Sequence, residues 1–151
     1  MPGELESIAA SLEGQVSKGK KYQLISVKPQ RVVEACKAVS ALPGFYHLST
    51  ITALDLGKEI SVYYHFWRGR EFFAVRANVS KDNPSIPSVT AVLPSATLYE
   101  AEVADLFGVR FEGNPMTGRK LLLPDTYPKD APPPMTREAD PEKIRKMMGL
   151  E

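Results

Sequence analysis

Three consecutive runs of aromatic and β-branched residues, Phe45 to Leu56, Glu59 to Trp67 and Phe72 to Val79, are separated only by Gly57-Lys58 and by Arg68-Gly69-Arg70-Glu71. Connections this short and glycine-containing leave neighbouring runs no choice but to fold back on each other as antiparallel hairpins. Side chains alternate across a strand, so Ile60, Val62, Tyr64 and Phe66 share one face, as do Phe73, Val75, Ala77 and Val79. Those faces need a cover. The opposite faces carry Ser61, Tyr63, His65, Trp67, Phe72 and Arg76, a semi-polar aromatic surface.

The cover is sought upstream. From Glu4 to about Lys18, Leu5, Ile8, Ala9, Leu12 and Val16 recur at helical spacing, which predicts an amphipathic helix ended by Gly19 and the cluster Lys18, Lys20 and Lys21. Tyr22 to Val27 reads as a strand. Pro29, suited to a first helical turn, opens a second helix to about Leu42, stopped by Pro43-Gly44. The expected fold class is α+β: a two-layer sandwich of helices on a mostly antiparallel sheet, in the order α-β-α-β-β-β.

Downstream, Lys81 to Pro87 reads as a loop and Ser88 to Leu93 as a short strand. Thr97-Leu98-Tyr99-Glu100 has the form of a capping box, so a motif helix is expected over 98–107, with Gly108 placed to end it. Seven of the thirteen prolines then fall between residues 115 and 141, too many for a regular element. The expected organisation is one α+β domain over 1–113 and, over 114–151, an extended proline-rich arm with a short terminal helix. Asp140-Pro141 supplies the cap and first turn of that helix, which is expected to reach Met148.

Composition excludes several functions. Nineteen Lys and Arg against eighteen Asp and Glu leave a net charge of +1 in 151 residues, without the positive surplus that nucleic acid or an anionic membrane surface attracts. Arg68-Gly69-Arg70-Glu71-Phe72-Phe73 has the look of the aromatic-on-sheet motif of RNA-recognition folds. Adjacent Phe72 and Phe73 point to opposite faces, however, so no nucleic acid is expected. The single Cys36 cannot form an internal disulfide or a cysteine-rich metal site, and is expected to be a semi-buried structural thiol. No acid or cysteine stands at ligand spacing from His47 or His65. No apolar run approaches the ~20 residues of a membrane span. With acids at Glu4, Glu6 and Glu13, the N-terminus does not read as a signal peptide.

The motif helix is the unusual feature: Glu100, Glu102 and Asp105, with no base. Glu102 and Asp105 are three apart and share a face. On chemistry alone they could be an acid/base or metal pair, an interface for basic groups, or a solvated helix face.

The run from Tyr99-Glu100-Ala101-Glu102-Val103-Ala104-Asp105-Leu106-Phe107-Gly108 through Val109-Arg110-Phe111-Glu112-Gly113-Asn114-Pro115, then Arg119-Lys120-Leu121-Leu122-Leu123-Pro124, resembles the signature of the C-subunit family of respiratory complex I and the corresponding subunit of energy-converting nickel–iron hydrogenases. The resemblance implies a non-catalytic, peripheral-arm subunit of a membrane-bound complex that couples electron transport to ion translocation. It implies no cofactor in this chain: a nickel–iron centre, iron–sulfur clusters or quinone belong to the partners. Those partners are the large catalytic subunit and the small iron–sulfur subunit, which hold this chain peripherally on the cytoplasmic side of the membrane. The interface is expected at Glu100, Glu102, Asp105, Phe107, Asn114, Arg119 and Lys120, the acids meeting basic groups of the large subunit and Arg119 and Lys120 acidic ones. The family usually has Arg at the place of Ala101 and His at that of Asn114, and another tail where this chain has 128–134. These departures point to the hydrogenase branch, with a quinone-reducing dehydrogenase as the alternative. A standalone metal-dependent enzyme using Glu102 and Asp105 is the rival from another class.

Overall fold

A five-stranded sheet in the order β1-β2-β5-β4-β3 organises the computed structural model, which describes residues 2–20, 22–45 and 47–150. Lys21 and Tyr46, assigned from sequence to the basic cluster and the first hairpin strand, lie outside the described residues. The three hairpin runs form as read: β3 (His47–Asp55), β4 (Glu59–Arg68) and β5 (Glu71–Ser80) pair antiparallel, Ile60 opposite Val79 and Phe66 opposite Phe73. The register of β3 slips between Leu48 and Thr50. The sheet's one parallel pairing joins β2 (Tyr22–Ser26) to β5, with Ile25 beside Val75.

The first predicted helix is corrected by the structure. Helix α1 (Pro2–Ser11) stops early, and Val16 lies instead on β1 (Gln15–Lys18), paired antiparallel with Ile25 of β2. The break falls at Glu13, whose φ is +53°, and at Gly14, where a Cβ would stand 2.7 Å from the Ser26 carbonyl oxygen. Pairing with β2 satisfies a whole edge of backbone groups, which outweighs a helical spacing that Val16 met by coincidence. Pro29 opens a 3-10 turn to Arg31, and α2 (Val32–Ser40) follows.

Helices α1 and α2 cover the expected sheet face. Leu5, Ala9 and Leu12 meet Val32, Cys36 and Val39 there in one core with Ile25, Ile60, Val62, Tyr64, Phe66, Phe73 and Val75. Cys36 is fully rather than partly buried, and burial pushes its thiol well above the ordinary range, which makes it unreactive.

Two further corrections concern the approach to the motif helix. Ser85–Pro87, read as loop, is strand β6, and Ser88–Leu93, read as strand, is a pair of turns in which the Val92 and Leu93 amides donate to the Val89 carbonyl. Strand β6 pairs in parallel with β7 (Arg110–Glu112), so the chain leaves α3 (Ala96–Phe107) and returns beside the segment that entered it. Helix α3 lies against β3 and extends the same core through Ala96 and Val103, and Val109 and Phe111 beyond it continue that core. Its end is as read: Gly108 closes it at φ +73°. Beyond residue 114 the chain runs in turns to α4 (Pro141–Met147), whose Asp140 cap accepts from the Glu142 and Lys143 amides as expected.

Candidate partner interface

Helix α3 turns its three acids in two directions. Glu100 points into the core beside Ala96, Val103 and Phe107, whereas Glu102 and Asp105 share the outer face with Leu98.

Glu100 is fully buried. Its Oε1 accepts from the Val89 amide at 2.8 Å, and its Oε2 from the Ser88 hydroxyl at 2.6 Å and the Asn114 side-chain amide at 2.8 Å. Asn114 also donates to the Thr97 carbonyl and accepts from the Met116 amide. One carboxylate therefore ties together the turn after β6, the helix and the turn after β7. Burial pushes the Glu100 carboxyl up, against the downward pull of those three donors. The capping box does not form, because Glu100 is spent here. Thr97 donates instead to the Pro94 carbonyl, and Ser95, the cap residue, makes no side-chain cap.

Asp105 holds the following segment. Its Oδ2 accepts from the backbone amides of Leu121, Leu122 and Leu123 at 2.8, 2.7 and 3.1 Å. Glu102, half-buried between Leu98 and Asp105, makes no hydrogen bond or ion pair among the described residues. Phe107 packs partly buried against the core. Arg119 and Lys120 are exposed. Among the described residues Lys120 reaches only the Pro124 carbonyl, at 3.3 Å, and Arg119 lines a cleft of about 170 Å³ together with Glu100, Ala101 and Phe111.

Farther along, the arm lies back on the domain. The Met135 amide donates to the Leu106 carbonyl at 2.9 Å, and Pro133 sits against Gly108. Asp55, at the end of β3, accepts from the Arg137 amide at 2.7 Å and from Lys81, which also binds Glu138. Burial pushes the Asp55 carboxyl up, but Lys81 and the Arg137 and Gly57 amides more than offset this and hold it down at about 2.

Sequence reasoning missed Ser88, the Leu121–Leu123 amides, Leu98 and the Asp55–Lys81–Glu138 clasp. The amides carry no side-chain signal at all, and the clasp, with the Arg137 amide on Asp55, joins residues up to 82 apart. His65 hydrogen-bonds Thr52 and touches Tyr22, and exposed His47 packs edge-on against Trp67. Among the described residues no group of three or more His, Cys, Asp or Glu could hold a metal ion, and no helix is long and apolar enough to cross a membrane.

Residues 25–144 match the family described as respiratory-chain NADH dehydrogenase, 30 Kd subunit. The C-subunit of NADH-quinone oxidoreductase from Roseiflexus castenholzii is 34% identical over 110 residues, covering 68% of this chain and 63% of its own length, so this chain spans a little under two thirds of that relative. The C-subunit of the same enzyme from Moorella thermoacetica is 30% identical over 128 residues, covering 82% and 84%. A chain of the membrane-bound sulfane sulfur reductase, an archaeal respiratory membrane complex, shares the fold with a TM-score of 0.80 over 99% of this chain and 93% of that one, at 23% identity.

Proposed function

The chain belongs to the family of the respiratory-chain NADH dehydrogenase 30 Kd subunit, and on that premise we propose that it is the C-subunit of a complex I-type quinone oxidoreductase. It is a non-catalytic, peripheral-arm protein docked on the large catalytic subunit and near the small iron–sulfur subunit. Its partners carry the iron–sulfur clusters and meet the quinone. They hold it at the cytoplasmic side of the membrane. The departures at Ala101, Asn114 and 128–134 pointed to a nickel–iron hydrogenase. Relatives named as the C-subunit of NADH-quinone oxidoreductase, at 34 and 30% identity, favour the quinone branch.

One observation carries the docking reading. Of the three motif acids, Glu100 and Asp105 are committed to backbone amides and buried donors of their own chain, which builds a surface rather than a reaction centre. Glu102, Arg119 and Lys120 lie on or beside that surface, whereas Phe107 packs partly buried against the core. Glu100, Asp105 and Asn114 act from beneath it, so the sequence-based pairing of all three acids with partner bases narrows to Glu102.

The test is purification of the tagged chain from detergent-solubilised membranes of its host, with subunit identification and metal analysis. Quinone oxidoreductase subunits with iron and without nickel are expected. A nickel-containing large chain would restore the hydrogenase reading, and recovery of the chain alone would overturn both.

A further inference from the structure

The sheet face turned away from α1, α2 and α3 carries the semi-polar aromatic surface read from the sequence, and no element covers it among the described residues. Register sets four of its rings in one row across four strands: His47 stands beside Trp67, Trp67 beside Phe72, and Phe72 beside Tyr22. Neighbouring strands lie about 4.8 Å apart, so the row spans roughly 14 Å. The ring centroids of Trp67 and Phe72 are stacked at 5.5 Å, and His47 meets Trp67 edge-on at 5.8 Å. Behind the row His65 lies between Tyr22 and Tyr63, at 6.3 and 6.1 Å. Trp67 is nevertheless 40% exposed and Phe72 49%. A contiguous patch of this kind marks a surface that another molecule covers. Trp and Tyr are among the side chains that supply most of the energy at such contacts.

The charge beside the rings is of one sign. Lys20 and Arg70 line a hollow with Tyr22 and Phe72, and Arg76 stands on the same face four residues along β5 from Phe72. None of the three makes an ion pair or a side-chain hydrogen bond among the described residues. On β4 and β5 the acid of this face is Glu59, at the far end, where it accepts from Asn78. Strand rise puts Arg76 roughly 13 Å beyond Phe72, so about four to six residues of extended chain separate a group at Lys20 and Arg70 from one at Arg76. Three bases on a chain of net charge +1 do not track a phosphate backbone, which carries a charge at every nucleotide. The stacked rings lie flat on one another and do not stand out as wedges for a lipid surface. A flat row of rings receives extended chain, whose apolar side chains lie on them.

We infer that this face is a second docking surface, separate from the motif helix, and that its occupant is an extended acidic segment of another protein chain. Apolar side chains, proline among them, lie on the row from Tyr22 to His47. One carboxylate meets Lys20 and Arg70, and a second, four to six residues on, meets Arg76. Like charges beside the rings set the direction in which the segment lies. The inference goes beyond the function proposed above, which rests on the motif segment.

Benzoylphenylalanine in place of Phe72 keeps a ring in the row and photo-cross-links what lies on it in native membranes; the same group in place of Lys37, exposed on α2 across the sheet, is the control. Position 72 is expected to link to one other protein, within a segment holding two acids about four to six residues apart around apolar side chains, and position 37 is not. A peptide of that segment is then titrated into the full chain. Trp67 is the chain's only tryptophan, so its emission reports on the face directly. A saturating change is expected, with affinity about tenfold weaker for the Arg70→Gln, Arg76→Gln double variant, whose thermal unfolding should match wild type. Equal affinity for both proteins would overturn the charge pairing and the occupant with it. No link at 72, a link to a second copy of this chain, or a link to a segment without acids overturns the inference. So does a Trp67 response to oligouridylate or to phosphatidylglycerol vesicles when no protein links. Redox subunits co-purified with the same tagged chain score the proposed function separately, so either reading can fail while the other stands.

Discussion

Asn114 Nδ2 lies 2.8 Å from Glu100 Oε2, fourteen residues earlier in the chain, and both residues are closed off from water. The bond joins the turn after β7 to the core face of α3. Together with Ser88 and Val89 it makes Glu100 the node through which the motif segment holds its shape.

Removing that node should be costly. Glu100→Ala leaves the Val89 amide and one N–H of the Asn114 side chain buried without their acceptor and the Ser88 hydroxyl with Thr90 alone, so a loss of about 3–5 kcal/mol is expected. Glu100→Gln keeps the volume but presents a donor to donors, and about 1–3 kcal/mol is expected. Urea unfolding should show lower midpoints at an unchanged slope.

Asp55 and Glu100 should respond to pH in opposite senses. The folded pKa of Asp55 is about 2 against an ordinary 3.8, so its contribution is present above 3.8 and is lost as pH falls towards 2. Glu100 is raised above its ordinary 4.5, so its contribution is full below 4.5 and is lost as pH rises through the folded value. Unfolding midpoints taken across pH should fall relative to Asp55→Asn on acidification below 3.8. Relative to Glu100→Gln they should fall as pH rises above 4.5.

Gly108 is constrained twice. Its φ is +73°, and a Cβ there would stand 2.8 Å from Cγ of Pro133. Gly108→Ala should cost about 1–3 kcal/mol, part backbone strain and part displacement of the arm. Thermal unfolding reads the total, and faster exchange of the Met135 amide, which donates to Leu106, reads the displacement.

The Tyr64 hydroxyl is fully buried with no hydrogen-bond partner among the described residues. Tyr64→Phe removes an unpaired polar group and keeps the ring, so it should raise stability by about 1 kcal/mol. A lower unfolding midpoint in the variant would show that the hydroxyl is satisfied in solution.

What the sequence by itself determined was whatever depends on near neighbours. The β3–β5 meander follows from period-two alternation and two tight connections, the end of α3 from Gly108, the cap of α4 from Asp140, and family membership from the motif's spacing. Tertiary structure decided the rest, where a partner far along the chain competes with a local preference. Val16 satisfied a helical spacing, yet Ile25 drew it into a strand. Thr97 and Glu100 satisfied a capping box, yet Ser88, Val89 and Asn114 gave the carboxylate three buried donors in place of one exposed amide. The partners of Asp105 are backbone amides, identical in every residue except proline. No side-chain pattern announces them, and only the path of the folded chain brings Leu121 to Leu123 under that carboxylate.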